Sequence, residues 1–373
     1  MPRAEPPLRV LMVHWDGAGN QPPQRALARE LVRRGHEVHV LSHDSVGNRA
    51  RSDGAIFHSL GTARQYSDSD HIGDGLGELK AIADICWLSP AYANDFLTVA
   101  RAIAPDIMLI DNTLISVQAV AADLDIPTAV MAHNIYAPET TDGMFAMIAS
   151  PGATALFERA KAFVAAQSLI VVPSYAAFNP IADRGPAVRH VGPIREPVEA
   201  ASWPRRFPDR PFVLVSLSTS FQNQAETLQR ICDGLARLDV EALVTTGPNM
   251  RPELFTVCDH VELRDFVSHD EILPSADLVI THCGHGTVMA AAGAGVPMVC
   301  LPMGRDQPFV ASRVEALGLG RSLAYTSSPE EIAAGAAEIL AEPTWKLAAT
   351  RFAAGVPRFG ELGRAADLVE QTA

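Results

Sequence analysis

The stretch LRVLMVHWDGAGNQPPQRALARELVRRGHEVHVLS, Leu8–Ser42, decides how this chain folds. LRVLMVH (Leu8–His14) is an apolar run of strand length, and PQRALARELVRRG (Pro23–Gly35) repeats its apolar residues at helical spacing and stops at glycine. EVHVLS then reads as a second strand. Strand, turn, helix and strand make a βαβ unit, whose crossover lays the two strands parallel in one sheet. The turn DGAGNQPP (Asp16–Pro23) invites comparison with a dinucleotide's phosphate cradle, since Gly17 and Gly19 fit and Asp44 stands near the place of a ribose-binding carboxylate. Pro22, however, replaces the third glycine, the one that close helix–strand packing needs. The phosphate site has to be sought elsewhere.

Beyond this unit, short apolar runs keep alternating with helical patterns. DIMLID (Asp106–Asp111), PTAVMAH (Pro127–His133) and SLIVVP (Ser168–Pro173) read as further strands, the signature of a parallel sheet covered on both faces. The pattern breaks at GPIREPVEAASWPRRFPDRP (Gly192–Pro211), which carries proline and charge in place of periodicity and reads as an extended linker. It restarts with FVLVSLS, a helix from about Gln224 to Leu238, then EALVTT, HVELRDF, DLVITH and PMVCLP. The expectation is an α/β chain of two Rossmann-like domains, residues 1–195 and 196–373, their parallel sheets facing a cleft. The last helix is a candidate to pack back on the first domain. The polar stretch Gly61–Gly77 reads as a mobile loop near that cleft.

Bulk properties narrow the partners. At 373 residues the chain exceeds one typical core. A net charge of -13 argues against nucleic acid or an anionic membrane as the main partner, so any bound phosphate must be held locally. Five cysteines (Cys86, Cys232, Cys258, Cys283 and Cys300), widely spaced and with no CxxC pair, suit reduced thiols in a cytoplasm better than a disulfide framework or a structural zinc. Neither a signal peptide nor a membrane span is expected.

The segment richest in chemistry is THCGHGTVMAAAGAGVPMVCLPMGRDQ, Thr281–Gln307. A strand delivers His282, and Gly284, Gly286 and Thr287 open an alanine-rich helix. Such a helix start offers several backbone N–H groups at the positive end of the dipole, and glycine lets a phosphate come close. The dipole would contribute about 0.3–2 kcal/mol and each charge-assisted hydrogen bond a further ~1.5–3 kcal/mol. An acidic chain could thus hold a diphosphate without a basic patch. The plain structural reading, a helix N-cap with glycines that relieve crowding, fits GHGT alone equally well. His282 and His285 with one cysteine fall short of a metal site.

HCGHGT followed by GAGVPMVCLPMGRDQPFVASRVEALGLG resembles the donor-binding signature of nucleotide-sugar-dependent glycosyltransferases of the GT-B fold, the UDP-glucuronosyl and macrolide glycosyltransferase family. The resemblance runs upstream through LVSLSTSF, LVTTGP and DFVSHDEILPSADLVITHCG, and is looser in the first half. It implies that His282 and the amides of Gly284, Gly286 and Thr287 hold the diphosphate. Phe266 and Val267 would receive the base, Thr219 and Thr246 would line the phosphate and ribose side, and Asp306 and Gln307 would bind sugar hydroxyls. A carboxylate and an amide in sequence suit hydroxyls that both donate and accept, although Asp306 also reads as the N-cap of the next helix.

The first domain would then hold a small acceptor, with DGAGNQPP facing the sugar. Many relatives carry a general-base histidine in this turn; here that position is Asn20, which cannot take a proton at neutral pH. The candidates to replace it are Asp111, as base or electrostatic partner, then Asp16, then His14 and His133. Asp111 also reads as an N-cap or turn residue. Trp87, Tyr92, Phe96, Met144 and Phe145 would line an apolar aglycone pocket or simply pack the core. Asp68-Ser69-Asp70 spells the Asp-x-Asp of metal-dependent transferases but lies in the polar loop, and no metal or resident cofactor is expected.

The implied activity is inverting, metal-independent transfer of a sugar from a UDP- or dTDP-sugar. The rivals are a catalytically silent relative that binds a nucleotide sugar or a partner enzyme, kept open by Asn20, and a nucleotide-sugar epimerase, which would not need HCGHGT followed by RDQ.

Overall fold

The computed structural model describes residues 6–17, 19–70, 75–137, 142–143, 145, 152–181, 185, 187–195, 203–217, 223–247 and 250–373. The chain divides into two compact units, Met1–Arg195 with Glu361–Ala373, and Glu196–Gly360.

In the first unit seven parallel strands form one sheet: β1 (Arg9–Val13), β2 (Glu37–Ser42), β3 (Ile56–Ser59), β4 (Ile107–Asp111), β5 (Thr128–Met131), β6 (Leu169–Val172) and β7 (Val188–His190). Their order is β3-β2-β1-β4-β5-β6-β7. Side chains alternate across a strand, and here both faces are buried. Val10, Met12, Ile107 and Leu109 pack on one side with Leu27 and Leu31 of helix Gln21–Arg33. Leu11, Val13, Met108 and Ile110 pack on the other with Tyr92, Phe96 and Val117. Truncating one of these fully buried side chains, Leu27→Ala for example, would cost about 2–5 kcal/mol. The first helix stops where Gly35 takes φ = 94°, a left-handed turn that glycine adopts without strain.

The last helix, Leu362–Thr372, belongs to this unit. Ala365, Ala366 and Val369 are buried in the same core as Leu27. Arg34 fixes its outer face through Asp367 at 2.6 Å and Glu370 at 2.8 Å.

The second unit repeats the plan with β8 (Phe212–Ser216), β9 (Glu241–Thr245), β10 (Val261–Arg264), β11 (Leu278–Thr281), β12 (Met298–Cys300) and β13 (Gly320–Ser322), ordered β10-β9-β8-β11-β12-β13 and all parallel. Val213 and Val215 face Leu228, Ile231 and Ile332. At Gly320 a side chain would meet the Met298 carbonyl oxygen at 2.0 Å, so β13 can approach β12 only with glycine there. The end of the linker is docked on this unit, because Glu241 accepts from Arg205 Nε at 2.9 Å and from the amides of Arg206 at 2.8 Å and Phe207 at 2.9 Å.

The α/β reading and the run of parallel strands agree with the sequence expectation, which did not name the short edge strands β3, β7 and β13. A helix already begins at Gly75, inside the stretch expected to be a loop. Trp87, Tyr92, Phe96 and Phe145 are buried in one core cluster, as the core-packing reading has it, while Met144 lies outside the described residues. Asp70 of the Asp-x-Asp spelling is taken by Arg64, whose hydrogen bond holds its carboxyl down at about 2. None of the described helices is long and apolar enough to cross a membrane.

Candidate functional site

Each sheet has a point where strand order reverses, between β1 and β4 in the first unit and between β8 and β11 in the second. Loops leaving the carboxyl ends of such strands splay apart and leave a crevice. Both groups of chemistry-bearing residues sit at these two points.

In the first unit β1 ends at His14 and Trp15, and the turn to the helix is tied by Asn20. Asn20 Nδ2 donates to the Trp15 carbonyl at 3.0 Å and to Asp111 Oδ2 at 3.1 Å; its Oδ1 accepts from the Gly17 amide at 3.1 Å and from Gln21 Nε2 at 3.3 Å. The residue occupies the helix N-cap position but makes no capping bond, its side chain being turned to Asp111 instead. Asp111, at the end of β4, has no exposed surface. Its Oδ1 accepts from the Thr113 amide at 2.9 Å and hydroxyl at 2.7 Å, and Thr113 in turn accepts from Trp15 Nε1 at 2.9 Å. His133, just past β5, places Nδ1 3.0 Å from Asp111 Oδ2. Burial by itself would raise the Asp111 pKa, but the His133 charge and hydrogen bond, with the two Thr113 bonds, outweigh it and hold the carboxyl below its ordinary value.

His14 is 2% exposed, and burial pushes its pKa down to about 4. Gln21 Nε2 lies 3.2 Å from its Nδ1, which therefore accepts. Asp16 is half-buried and accepts from Ser45 Oγ at 2.5 Å and Gln65 Nε2 at 3.5 Å.

In the second unit β11 delivers His282 and Cys283 to the start of helix His285–Ala294, with Gly284 as its N-cap. The first bond of that helix runs from the Val288 amide to the Gly284 carbonyl at 3.1 Å, so the amides of Gly286 and Thr287 precede any intrahelical partner. The His282 ring is buried, donates to the Ser216 carbonyl, and leaves Nδ1 with no hydrogen-bond partner among the described residues. Burial, then the charges of Arg305 and His269, push its pKa down to about 3. His269 Nε2 in turn lies 3.0 Å from Ser216 Oγ. Arg305 and His269 are thus the charged neighbours of a neutral His282, which has no acidic partner among the described residues.

Two non-glycine residues here sit in the left-handed region, Cys283 at φ = 65° and Arg305 at φ = 56°. Such strain, about 1–3 kcal/mol each, persists only where surrounding structure imposes it and clusters at ligand sites. Gly284 has no room for a side chain, whereas a Cβ at Gly286 would enter open space.

The other expected donor residues fall as follows. Phe266 is 73% exposed while Val267 beside it is buried, so Phe266 is not a core residue. Thr246 is buried at the end of β9, its hydroxyl 3.4 Å from the Gly247 carbonyl and 3.5 Å from that of Arg264. Asp306 holds the N-cap position of helix Gln307–Ala316 without a side-chain capping bond. Gln307 Oε1 accepts from the amides of Met303 at 2.8 Å and Gly304 at 3.2 Å, bracing its own loop. Thr219 lies outside the described residues. Sequence reasoning missed Ser216 at the end of β8, His269 at the start of the short helix His269–Ile272 and Arg305 in the loop after β12, and it passed over Thr113 and Gln21.

The comparisons with known proteins bear on both units. Residues 25–193 match the family described as Glycosyltransferase Family 4, and residues 229–357 match the Erythromycin biosynthesis protein CIII-like C-terminal domain. The oleandomycin glycosyltransferase of Streptomyces antibioticus is 26% identical over 98% of this chain and 90% of its own length. Among solved structures, the glycotransferase of kitacinnamycin superposes with a TM-score of 0.83 at 24% identity, covering 99% of this chain and all of the other. The glycosyltransferase VinC in complex with dTDP superposes at 0.73 and 20% identity, covering 98% of this chain and 99% of the other. Fold along the whole length and sequence in both halves agree: the chain is a nucleotide-sugar glycosyltransferase with the GT-B fold.

Proposed function

We propose that the chain transfers a sugar from a nucleoside diphosphate, UDP or dTDP, to a small apolar or aromatic acceptor with inversion at the anomeric carbon. The carrying observation is the second unit's helix start, where the amides of Gly286 and Thr287 precede any intrahelical partner and the buried His282 leaves Nδ1 without a hydrogen-bond partner among the described residues. The dTDP bound in VinC and the natural product named for the oleandomycin enzyme support the donor and acceptor classes. In this reading the second unit holds the donor and the first the acceptor.

The acceptor oxygen attacks C1 in line, the C1–O bond to the diphosphate breaks, and the leaving group departs with the electron pair. Its charge is met by the helix amides, donors fixed in place before the reaction, and by His282 once the anion's charge favours a proton on Nδ1. Phe266 stacks on the base, and Asp306 and Gln307 hold the sugar. The positive helix end does the electrostatic task that a cation performs elsewhere, which supports a metal-independent transfer.

Mass spectrometry of products from UDP- and dTDP-sugars with a mixed panel of phenolic and alicyclic acceptors tests the reading. A β-linked product from an α-linked donor supports it. Tight nucleotide binding with no turnover across the panel would instead favour the silent, nucleotide-sugar-binding alternative, which Asn20, fully engaged in bracing its turn, keeps in play.

A further inference from the structure

In VCDH, Val257–His260, a cysteine and a histidine stand two residues apart just before β10. Of the five cysteines only Cys258 is partly exposed, while Cys86, Cys232, Cys283 and Cys300 are buried. Cys258 Sγ lies 3.3 Å from Nε2 and 3.6 Å from Nδ1 of His260. His260 Nε2 is also 3.2 Å from the Leu235 carbonyl, which can only accept, so the neutral ring carries its hydrogen on Nε2 and its basic lone pair on Nδ1. The thiol therefore donates to Nδ1, and the ring is placed to take its proton. The thiolate is the reactive form of cysteine.

The loop that carries Cys258 is anchored along helix Ala225–Leu235 on both sides of it. Before it, Gln229 Nε2 donates to the Thr256 carbonyl at 2.9 Å, and Gln229 Oε1 accepts from the Thr256 amide at 3.0 Å. After it, His260 donates to the Leu235 carbonyl. Cys232 stands midway between Gln229 and Leu235 on the helix, as Cys258 does between Thr256 and His260 on the loop. The anchors thus hold Cys258 against the turn of helix that carries Cys232, and Cys258 packs on the core cluster to which Cys232 belongs. The two thiols feel each other: burial, then the charges of Asp233 and Cys258, push the Cys232 thiol up to about 12. Among the described residues no group of three or more His, Cys, Asp or Glu side chains could hold a metal ion, which leaves Cys232, Cys258 and His260 with thiol chemistry.

We propose that Cys258 and Cys232 form a peroxide-responsive thiol pair, in which His260 activates Cys258 and Cys232 closes a reversible disulfide with it. His260 Nδ1 takes the Cys258 proton, and the thiolate sulfur attacks one oxygen of hydrogen peroxide. The O–O bond breaks, the leaving hydroxide takes the proton from His260 and departs as water, and Cys258 becomes a sulfenic acid. The Cys232 sulfur then displaces the sulfenic hydroxyl, which leaves as water with the Cys232 proton. Two electrons pass from the thiol pair to the peroxide, and a dithiol reductant returns them. The bond staples the helix to the entry of β10, whereas Phe266 and the helix start at His285 follow strand exits, so it can close without displacing them.

The test exposes the full, reduced chain to hydrogen peroxide, with and without dimedone as a trap for sulfenic acid, and follows each cysteine by peptide mass spectrometry. It reads thiol chemistry and is independent of sugar transfer. The wild type is expected to give a Cys232–Cys258 crosslinked peptide that dithiothreitol reverses, and a dimedone adduct on Cys258 ahead of every other cysteine. Cys232→Ala should lose the crosslink and accumulate the Cys258 adduct. His260→Gln, whose amide can still donate to the Leu235 carbonyl, should slow formation of that adduct about tenfold or more. Urea unfolding of the reduced variants controls for folding, and the wild-type crosslink decides the matter even where a variant does not fold. A folded wild type that forms no Cys232–Cys258 bond overturns the pair. Trapping of Cys86, Cys283 or Cys300 as fast as Cys258 overturns its selectivity, and an unchanged rate in folded His260→Gln overturns the part given to the histidine.

Discussion

A Cβ placed on Gly284 would lie 2.6 Å from Nε2 of His282, so the glycine at the head of the helix and the histidine at the end of β11 share one space. Only a residue without a side chain at 284 leaves the imidazole beside the helix start and bonded to Ser216. The motif HCGHGT is therefore a packing statement, whatever it binds.

Gly284→Ala should displace the His282 ring and weaken nucleoside diphosphate binding by at least tenfold, about 1.4 kcal/mol. Gly286→Ala faces open space in the unliganded protein, so it should leave folding stability within about 1 kcal/mol while still obstructing an incoming phosphate. Titration calorimetry with dTDP and UDP, paired with urea unfolding, separates the two. Unchanged affinity in Gly284→Ala would remove His282 from the donor site.

Phe266→Ala tests the base platform. A side chain 73% exposed contributes little to folding, so stability should change by less than about 0.5 kcal/mol. Loss of stacking on a base should cost about 1–3 kcal/mol in nucleotide affinity. A variant as tight as wild type would place the base elsewhere.

Asn20→Asp is expected to damage the first unit. It removes the Nδ2 donor and sets a second carboxylate beside Asp111 Oδ2, where Asn20 Nδ2 now lies at 3.1 Å. Like charges at that distance cannot both ionise easily, so unfolding in urea at pH 7 should be easier by at least about 2 kcal/mol. The loss should shrink at pH 5, where the pair can share a proton. A loss that does not depend on pH would point to the missing donor alone.

His282 and His14 should make the fold acid-sensitive. Both rings are held neutral when folded, their pKa values lowered from 6.5 to about 3 and about 4, each chiefly by burial. The unfolded chain binds these protons from pH 6.5 downward while the folded chain does not. Their contribution is thus fully present above pH 6.5 and is lost as pH falls toward 4 and 3, at up to about 1.4 kcal/mol per pH unit for each ring. Melting curves at pH 7 and pH 5 should show the decline, and His282→Gln should flatten it. Nucleoside diphosphate should protect more strongly at pH 5, because an anion beside His282 favours the protonated ring, whose Nδ1 could then donate.

Much of this was legible in the one-dimensional chain because the physics that carries it is local. Apolar runs of strand length alternating with helical patterns specify parallel strands buried on both faces, as at Val10–Val13. The glycines of Thr281–Gln307 announce the helix start that the structure shows at His285, since a helix terminus needs only consecutive residues. The exposure of Phe266 followed from its place in the motif and from nothing in its own chemistry, which on its own favours burial.

What tertiary structure alone decided is which groups meet. Asn20, Asp111 and His133 are separated by 91 and 22 positions, and their contact depends on β1 and β4 being neighbours and on Asp111 pairing with Met131. Those registers come from packing two faces of a sheet at once, a property of the assembled core that no stretch of chain encodes by itself. For the same reason the sequence left Trp87, Tyr92 and Phe96 open between a pocket and the core, and the fold buries all three in one cluster. Hydrophobicity says that a side chain will be buried, and only the completed sheet and its helices say against what.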